Sequence, residues 1–186
     1  MAAAKDQVVV LTGANSGIGL ALARALHAEG RRVACVDIAA DHLTGLRFIA
    51  CDVTVPAEVE AAVETVVRDW GRIDVLVNNA CLAVFAPLEE RDLATTRREF
   101  EVDFYGYLHL IAAVVPHMKR QVGGVIHNVG STVGSTGVAG LSGYASTKGA
   151  IEAIGVLLAR LVPRPMGAFL SARAAAAQRA ASGPTA

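Results

Sequence analysis

Tyr144 and Lys148 stand four residues apart in the run Tyr144-Ala145-Ser146-Thr147-Lys148, and Ser131 lies thirteen residues before the tyrosine. Tyrosine is a poor acid or base near neutral pH, because its pKa is about 10. An ammonium close by stabilises phenolate and lowers that value. Residues four apart on a helix share a face, so this hydroxyl and this ammonium are directed into one space. Such a pair can exchange a proton with an oxygen of a bound molecule. Taken alone, Tyr-x-x-x-Lys is usually a helix-surface pair. A second feature stands near the start of the chain, where Thr12-Gly13-Ala14-Asn15-Ser16-Gly17-Ile18-Gly19 follows the apolar run Val8-Val9-Val10-Leu11. Gly13 permits a tight turn, Gly17 lets the backbone approach a diphosphate, and Gly19 allows close helix–strand contact. Asn15, Ser16 and Ile18 complete the loop and count with the glycines as cofactor-binding positions. The helix that opens here would present free N–H groups and a positive dipole to phosphate. The spacing is G-x-x-x-G-x-G, not the G-x-G-x-x-G of many dinucleotide sites. About twenty residues on, Asp37 offers a carboxylate that can accept from both hydroxyls of an adenosine ribose. It would repel a 2′-phosphate, and Ser16 brings no positive charge to offset that. Both features favour NAD over NADP. A solvated turn aspartate is the alternative reading of Asp37.

The elements that must position these residues alternate. Val8 to Leu11 is a buried strand, and Gly17 to Glu29 a helix with Ile18, Leu22, Ala25 and Leu26 on one face, ended by Gly30. Val33 to Val36 is a second strand, closed by Asp37. Phe48 to Cys51 is a third, closed by Asp52. A helix from about Ala57 to Trp70 starts at Pro56. Ile73 to Val77 is the fourth strand, ending in Asn78-Asn79-Ala80. A long helical stretch is expected from about Leu88 to Lys119, a fifth strand from Gly124 to Asn128, and a helix from about Ser142 to Arg160. This alternation predicts an α/β fold with a doubly wound parallel sheet and helices on both faces. Right-handed crossovers then bring the loops after the strands to one edge, where ligands bind. Every motif above lies after a strand or at the start of the helix that follows.

Composition excludes several classes. Net charge is zero, so nothing steers the chain toward nucleic acid. No apolar run reaches the roughly eighteen residues of a membrane span. The mean hydropathy of +0.44 follows from Val/Ile/Leu/Ala runs in strands buried on both faces. Met1 to Asp6 meets the first strand too soon for a signal peptide. Cys35, Cys51 and Cys81 are odd in number and lack metal-like spacing, which suggests reduced thiols and a cytoplasmic location. The scattered histidines suggest no metal site. After Glu152 no acidic residue follows, and Pro163, Pro165 and the run Ala174 to Ala177 interrupt the pattern. Residues 1–160 are therefore expected to form the dinucleotide-binding domain. Residues 161–186 are read as a divergent Ala/Arg-rich tail, either a short helix or disordered.

Together the glycine loop and the Ser131/Tyr144/Lys148 set resemble the short-chain dehydrogenase/reductase family, over roughly Val8 to Leu158. The resemblance implies a Rossmann-like sheet of about five strands in the order 3-2-1-4-5, with the family's final strands missing. It implies an NAD(P)-dependent oxidoreductase that interconverts an alcohol and a carbonyl by hydride transfer. Tyr144 would exchange the proton, Lys148 would lower the tyrosine pKa and bind the nicotinamide ribose, and Ser131 would orient the substrate oxygen. Asp52 in Cys51-Asp52-Val53-Thr54 matches an adenine-contacting aspartate, with Val53 beside it. Asn79 and Ala80 match a motif that shapes the cofactor site and steadies the sheet. The family commonly forms a homodimer or tetramer through the long helix and the Tyr/Lys helix.

Three departures accompany the resemblance. Cys81 stands where the family continues with glycine. Asp103, after Phe100-Glu101-Val102, replaces a catalytic-site asparagine, which is expected to reduce turnover without abolishing it. Beyond the Tyr/Lys helix the family's later strand, Pro-Gly turn and substrate lid are not recognisable, so the chain reads as truncated or divergent there. Alternatives are a catalytically impaired or inactive form that binds dinucleotide or partners without turnover, and a product that folds poorly. The short connection between Asp37 and Asp52 is similar to dihydrodiol-oxidising members, and Phe100 to Lys119 to steroid-, retinoid- and lipid-type reductases.

Overall fold

A computed structural model describes the backbone of residues 4–161 and the side chains of residues 5–154. Five parallel strands form one sheet in the order β3-β2-β1-β4-β5: β1 Val8–Thr12, β2 Arg32–Asp37, β3 Arg47–Ala50, β4 Val75–Asn78 and β5 Val125–Asn128. The register sets Leu11 beside Cys35 and Val77, so β1 is paired on both sides and every one of its residues is buried. Its β-branched side chains suit a pleated surface covered on both faces. The odd and even positions of β1 feed two cores. Val8 and Val10 pack with Val59, Val63 and Val66 of α2 (Pro56–Trp70) and with Leu110 and Val114 of α4 (Gly106–Arg120). Val9 and Leu11 pack with Ala23 and Leu26 of α1 (Gly17–Ala28) on the other face. Burying each such Val or Leu stabilises the fold by about 1.5–3 kcal/mol.

The expected sheet order and the two helical layers are both present. The stretch from Leu88 to Lys119 is not one helix. Leu88–Glu90 is a separate single 3-10 turn, and α3 begins at Leu93. Asp92 causes the break: its carboxylate accepts from the Ala94 and Thr95 N–H groups as an N-cap. α3 (Leu93–Phe100) then runs through a π-helical segment, Glu101–Tyr105, into α4. The Gly/Ser/Thr-rich loop after β5 contains a further short helix, α5 (Val133–Thr136), before α6 (Ser142–Leu161). Residues 162–186 of the expected tail lie outside the described residues. Among the described residues no helix is long and apolar enough to cross a membrane.

Candidate active site

The ends of β1 and β4 are stitched together by polar atoms. Thr12 Oγ1 accepts the N–H groups of Asn79 and Ala80 at 3.0 and 3.1 Å. Asn79 Nδ2 donates to the carbonyls of Thr12 and Gly13, both at 3.0 Å. This close approach explains two glycines. A Cβ on Gly13 would stand 2.7 Å from Ala80 Cα, and one on Gly19 would strike the Gly13 carbonyl and Asn79 Nδ2. Gly17 differs: φ is +52° and nothing lies within 4 Å of its absent Cβ. Its need is conformational, and its open side faces outward. Ser16 caps α1 with extended backbone but makes no side-chain cap bond, so it leaves the first-turn N–H groups clear. Ile18 beside them is 72% exposed. Free helix N–H groups over an open glycine surface fit a dinucleotide diphosphate.

The turn after β2 is ordered by Asp37. One carboxylate oxygen accepts the Asn15 N–H at 2.9 Å, and the other accepts the Ile38 N–H at 2.8 Å. Asn15 is itself tied to Asp41 and to the His42 N–H. Asp41 was not anticipated; it adds a second carboxylate beside the glycine loop, and among the described residues no basic side chain bonds Asp37. Asp52 accepts the Thr54 N–H and hydroxyl through one oxygen, an Asx turn that holds the bend after β3. Val53 is pinned from below. Its carbonyl accepts from His109 Nδ1 at 3.0 Å, and α4 comes so near that a Cβ on Gly106 would lie 2.7 Å from Val53 Cγ2.

At the candidate catalytic end α6 brings Tyr144 and Lys148 to one face, and the loop after β5 brings Ser131. Lys148 is 1% exposed. Its ammonium donates to the Val129 carbonyl at 2.9 Å and to the Tyr107 hydroxyl at 3.2 Å, and lies 5.4 Å from the centre of the Tyr144 ring. Burial lowers its pKa, against the nearby Asp103 and Cys81. Burial also raises the Tyr144 phenol, with Cys81 adding to the rise, the Ser131 hydroxyl opposing it and Asp103 adding further. The net direction for the Tyr144 phenol is upward. Asp103 is wholly buried. Its carboxylate accepts the Leu82 N–H at 2.7 Å and the Thr147 hydroxyl at 2.9 Å. Burial pushes its pKa up to about 6 against those two bonds and Lys148, with Glu99 adding to the rise. Cys81 is an exposed residue whose thiol is raised by its partly enclosed setting, with Lys148 opposing and Asp103 adding. A raised thiol does not favour the reactive thiolate.

Three residues that sequence reasoning missed complete this end. Tyr107 is 1% exposed and receives Lys148. Arg91 and Glu99 form a buried ion pair, with Nη1 to Oε2 at 2.6 Å. Glu99 accepts the Val84 N–H at 3.0 Å, and Arg91 donates to the Val84 carbonyl. The only available signal was Glu99 standing four residues before Asp103, one helical turn away on the same face. Beyond this pair the loops after β4 and β5 meet, with the Ala86 N–H donating to Gly140. They border an apolar hollow of about 530 Å³ lined by Phe85, Ala86, Pro87, Leu88, Glu89, Ala139 and Gly140.

Comparison with known proteins places these features in a wider set. Residues 7–163 match the short chain dehydrogenase family model. An uncharacterized oxidoreductase of Staphylococcus saprophyticus is 37% identical over 159 residues, covering 81% of this chain and 65% of that protein. D-threitol dehydrogenase of Mycolicibacterium smegmatis is 34% identical over 164 residues, covering 82% of this chain and 63% of its own length. The solved structure of an NAD+-bound xylitol dehydrogenase superposes with a TM-score of 0.78 at 34% identity, over 82% of this chain and 64% of that one. The chain thus spans slightly under two thirds of each of these relatives.

Proposed function

The chain belongs to the short chain dehydrogenase family, and from that premise we propose that it is an NAD-linked oxidoreductase interconverting a small alcohol and its carbonyl compound. The observation that carries this reading is the convergence of Ser131, Tyr144 and Lys148 on the sheet edge where the glycine loop opens. Gly13, Gly17 and Gly19, with Asn15, Ser16 and Ile18, would hold the diphosphate. Asp37, backed by Asp41, would hold the adenosine ribose, and its charge favours NAD over NADP. Asp52 and Val53 would border the adenine, and Asn79 and Ala80 the nicotinamide end. When bound, the nicotinamide supplies the hydride acceptor or donor.

The chain's own residues handle the proton. Tyr144 Oη gives a proton to the substrate oxygen during carbonyl reduction and takes one during alcohol oxidation. Ser131 hydrogen-bonds that oxygen and orients it. Lys148 would contact the ribose side and stabilise phenolate there. A raised phenol is protonated at neutral pH, so reduction is favoured there and oxidation quickens as pH rises. The two polyol dehydrogenases among the relatives support a small polar alcohol as substrate. Assembly as a homodimer or tetramer through α4 and α6, a cytoplasmic location and a domain ending near residue 160 belong to the same reading.

A second reading, a dinucleotide binder without turnover, draws on one observation: Lys148 is held by Val129 and Tyr107 and leaves Tyr144 raised. Calorimetric titration with NADH and NADPH, followed by turnover with a panel of alcohols, separates the two. Saturable binding that prefers NADH, with turnover lost in Tyr144→Phe, supports the enzyme. Binding without hydride transfer supports the second reading. A folded chain that binds neither nucleotide overturns both.

A further inference from the structure

The segment after β4 is held at alternate residues. The Leu82 N–H goes to Asp103, the Val84 N–H to Glu99 and the Ala86 N–H to Gly140. Leu82, Val84 and Ala86 are half-buried, whereas Cys81, Ala83 and Phe85 are exposed. This period of two is that of an extended strand, yet among the described residues the segment pairs with no strand. Its hydrogen-bond partners are instead mostly carboxylates one helical turn apart on α3 and the π segment. The Val84 amide and carbonyl are both engaged, by Glu99 and Arg91, as a neighbouring strand would engage them. The same ion pair also touches the opposite wall. Gly143, one residue before Tyr144, sits so close that a Cβ there would strike Glu99 Oε2 and stand 2.7 Å from Arg91 Nη1. Side-chain exposures of 4% for Arg91 and 0% for Glu99 leave the pair little freedom to shift.

We propose that Arg91 and Glu99 are positioning residues that set the register of the 81–87 segment against the Tyr144-bearing turn of α6. The row Cys81, Ala83 and Phe85 is thereby presented as a specificity-determining wall of the site. A slip of one residue along this segment would turn Leu82, Val84 and Ala86 outward and bury the row. The idea rests on the dehydrogenase reading for its effect on turnover, but its structural content does not.

The test is the double variant Arg91→Met/Glu99→Leu in the full chain, with Gly143→Ala as a second perturbation from the α6 side. Replacing a buried ion pair by apolar groups of similar volume is often compatible with folding. It removes the clamp on Val84 all the same. Cys81 is the exposed cysteine, while Cys35 and Cys51 are buried. Its alkylation rate with iodoacetamide therefore reports the register without requiring activity. The expected result in either folded variant is a severalfold change in that rate. NADH affinity should be retained, and kcat should fall on the order of 10- to 100-fold through misplacement of Tyr144 and the wall. A folded double variant with unchanged labelling and unchanged kcat would overturn the proposal. So would loss of folding in both variants, which would make the pair a requirement of the fold alone. A wild-type chain without turnover would sink the dehydrogenase reading, and the labelling would still decide the register.

Discussion

Asp103→Asn should stabilise the protein at pH 8 and do progressively less as pH falls. The buried carboxylate has its pKa raised from 3.8 to about 6. Ionising it in the folded state is therefore harder than in the unfolded chain. Well below pH 3.8 the group is protonated in both states and imposes no penalty. As pH rises from 3.8 to about 6 the unfolded chain ionises while the folded protein does not, so stability is lost across that window and levels off above it. A rise of roughly two pK units corresponds to about 3 kcal/mol once both states are charged. Asparagine carries no such penalty, and the local network can accept it. Its carbonyl takes the Leu82 N–H, and its amide donates to Thr147 Oγ1. Thr147 keeps its own donor bond to the Tyr144 carbonyl at 2.8 Å. The expected gain is about 3 kcal/mol at pH 8, shrinking to about 1 kcal/mol at pH 4.5. At pH 8 that is about 6–12 °C in Tm for a domain of this size. Urea or thermal unfolding of both proteins at the two pH values measures it. A gain of equal size at both pH values would show that the ionisation of Asp103 is not responsible. No gain at pH 8 would refute the penalty itself. Turnover should rise in the same variant, because the added negative charge beside Tyr144 and Lys148 is gone.

Three further substitutions test the glycine loop and its contact with β4. Thr12→Val is nearly isosteric but leaves the Asn79 and Ala80 N–H groups without their acceptor at a 1% exposed position; chemical denaturation should show a loss of about 2–4 kcal/mol. Gly19→Ala forces a methyl into the Gly13 carbonyl and Asn79, whereas Gly17→Ala meets open space and only conformational strain. NADH titration should therefore show binding abolished by the first and only weakened by the second, and equal effects would argue against the close β1–β4 contact.

The elements most legible in the sequence are those whose demands are local. Gly13 and Gly17 need positive φ, Pro56 opens a helix, and the Val/Leu runs suit buried parallel strands, so the strands and the glycine loop could be anticipated from neighbours in sequence, whereas the strand order followed from the family resemblance. The helix from Leu88 could not be read so directly. Its residues favour helix, and the break depends on Asp92 capping Ala94 and Thr95 and so restarting the helix at Leu93. Asp103 was identified by its place in a motif, but its partner Thr147 is 44 residues away on another helix. Arg91 and Glu99 look like ordinary solvated charges until the fold closes over them. The direction of Lys148 depends on the Val129 carbonyl, a backbone atom that side-chain patterns do not reveal. What escaped the sequence was therefore mainly the pairing of distant polar groups.

The helix from Asp103 to His109 acts as a ruler for the whole cleft. Asp103 fastens the segment beside Tyr144, Gly106 seats the helix against Val53, and His109 fastens the Val53 carbonyl after β3. Six residues of helix fix the spacing between the two fastenings at about 9 Å along the axis. Inserting one residue between them would lengthen that spacing and swing one fastening through about 100° relative to the other. Both ends of the cleft would then be misaligned by a single edit made at neither. The helix beneath the two loops therefore has to keep its length.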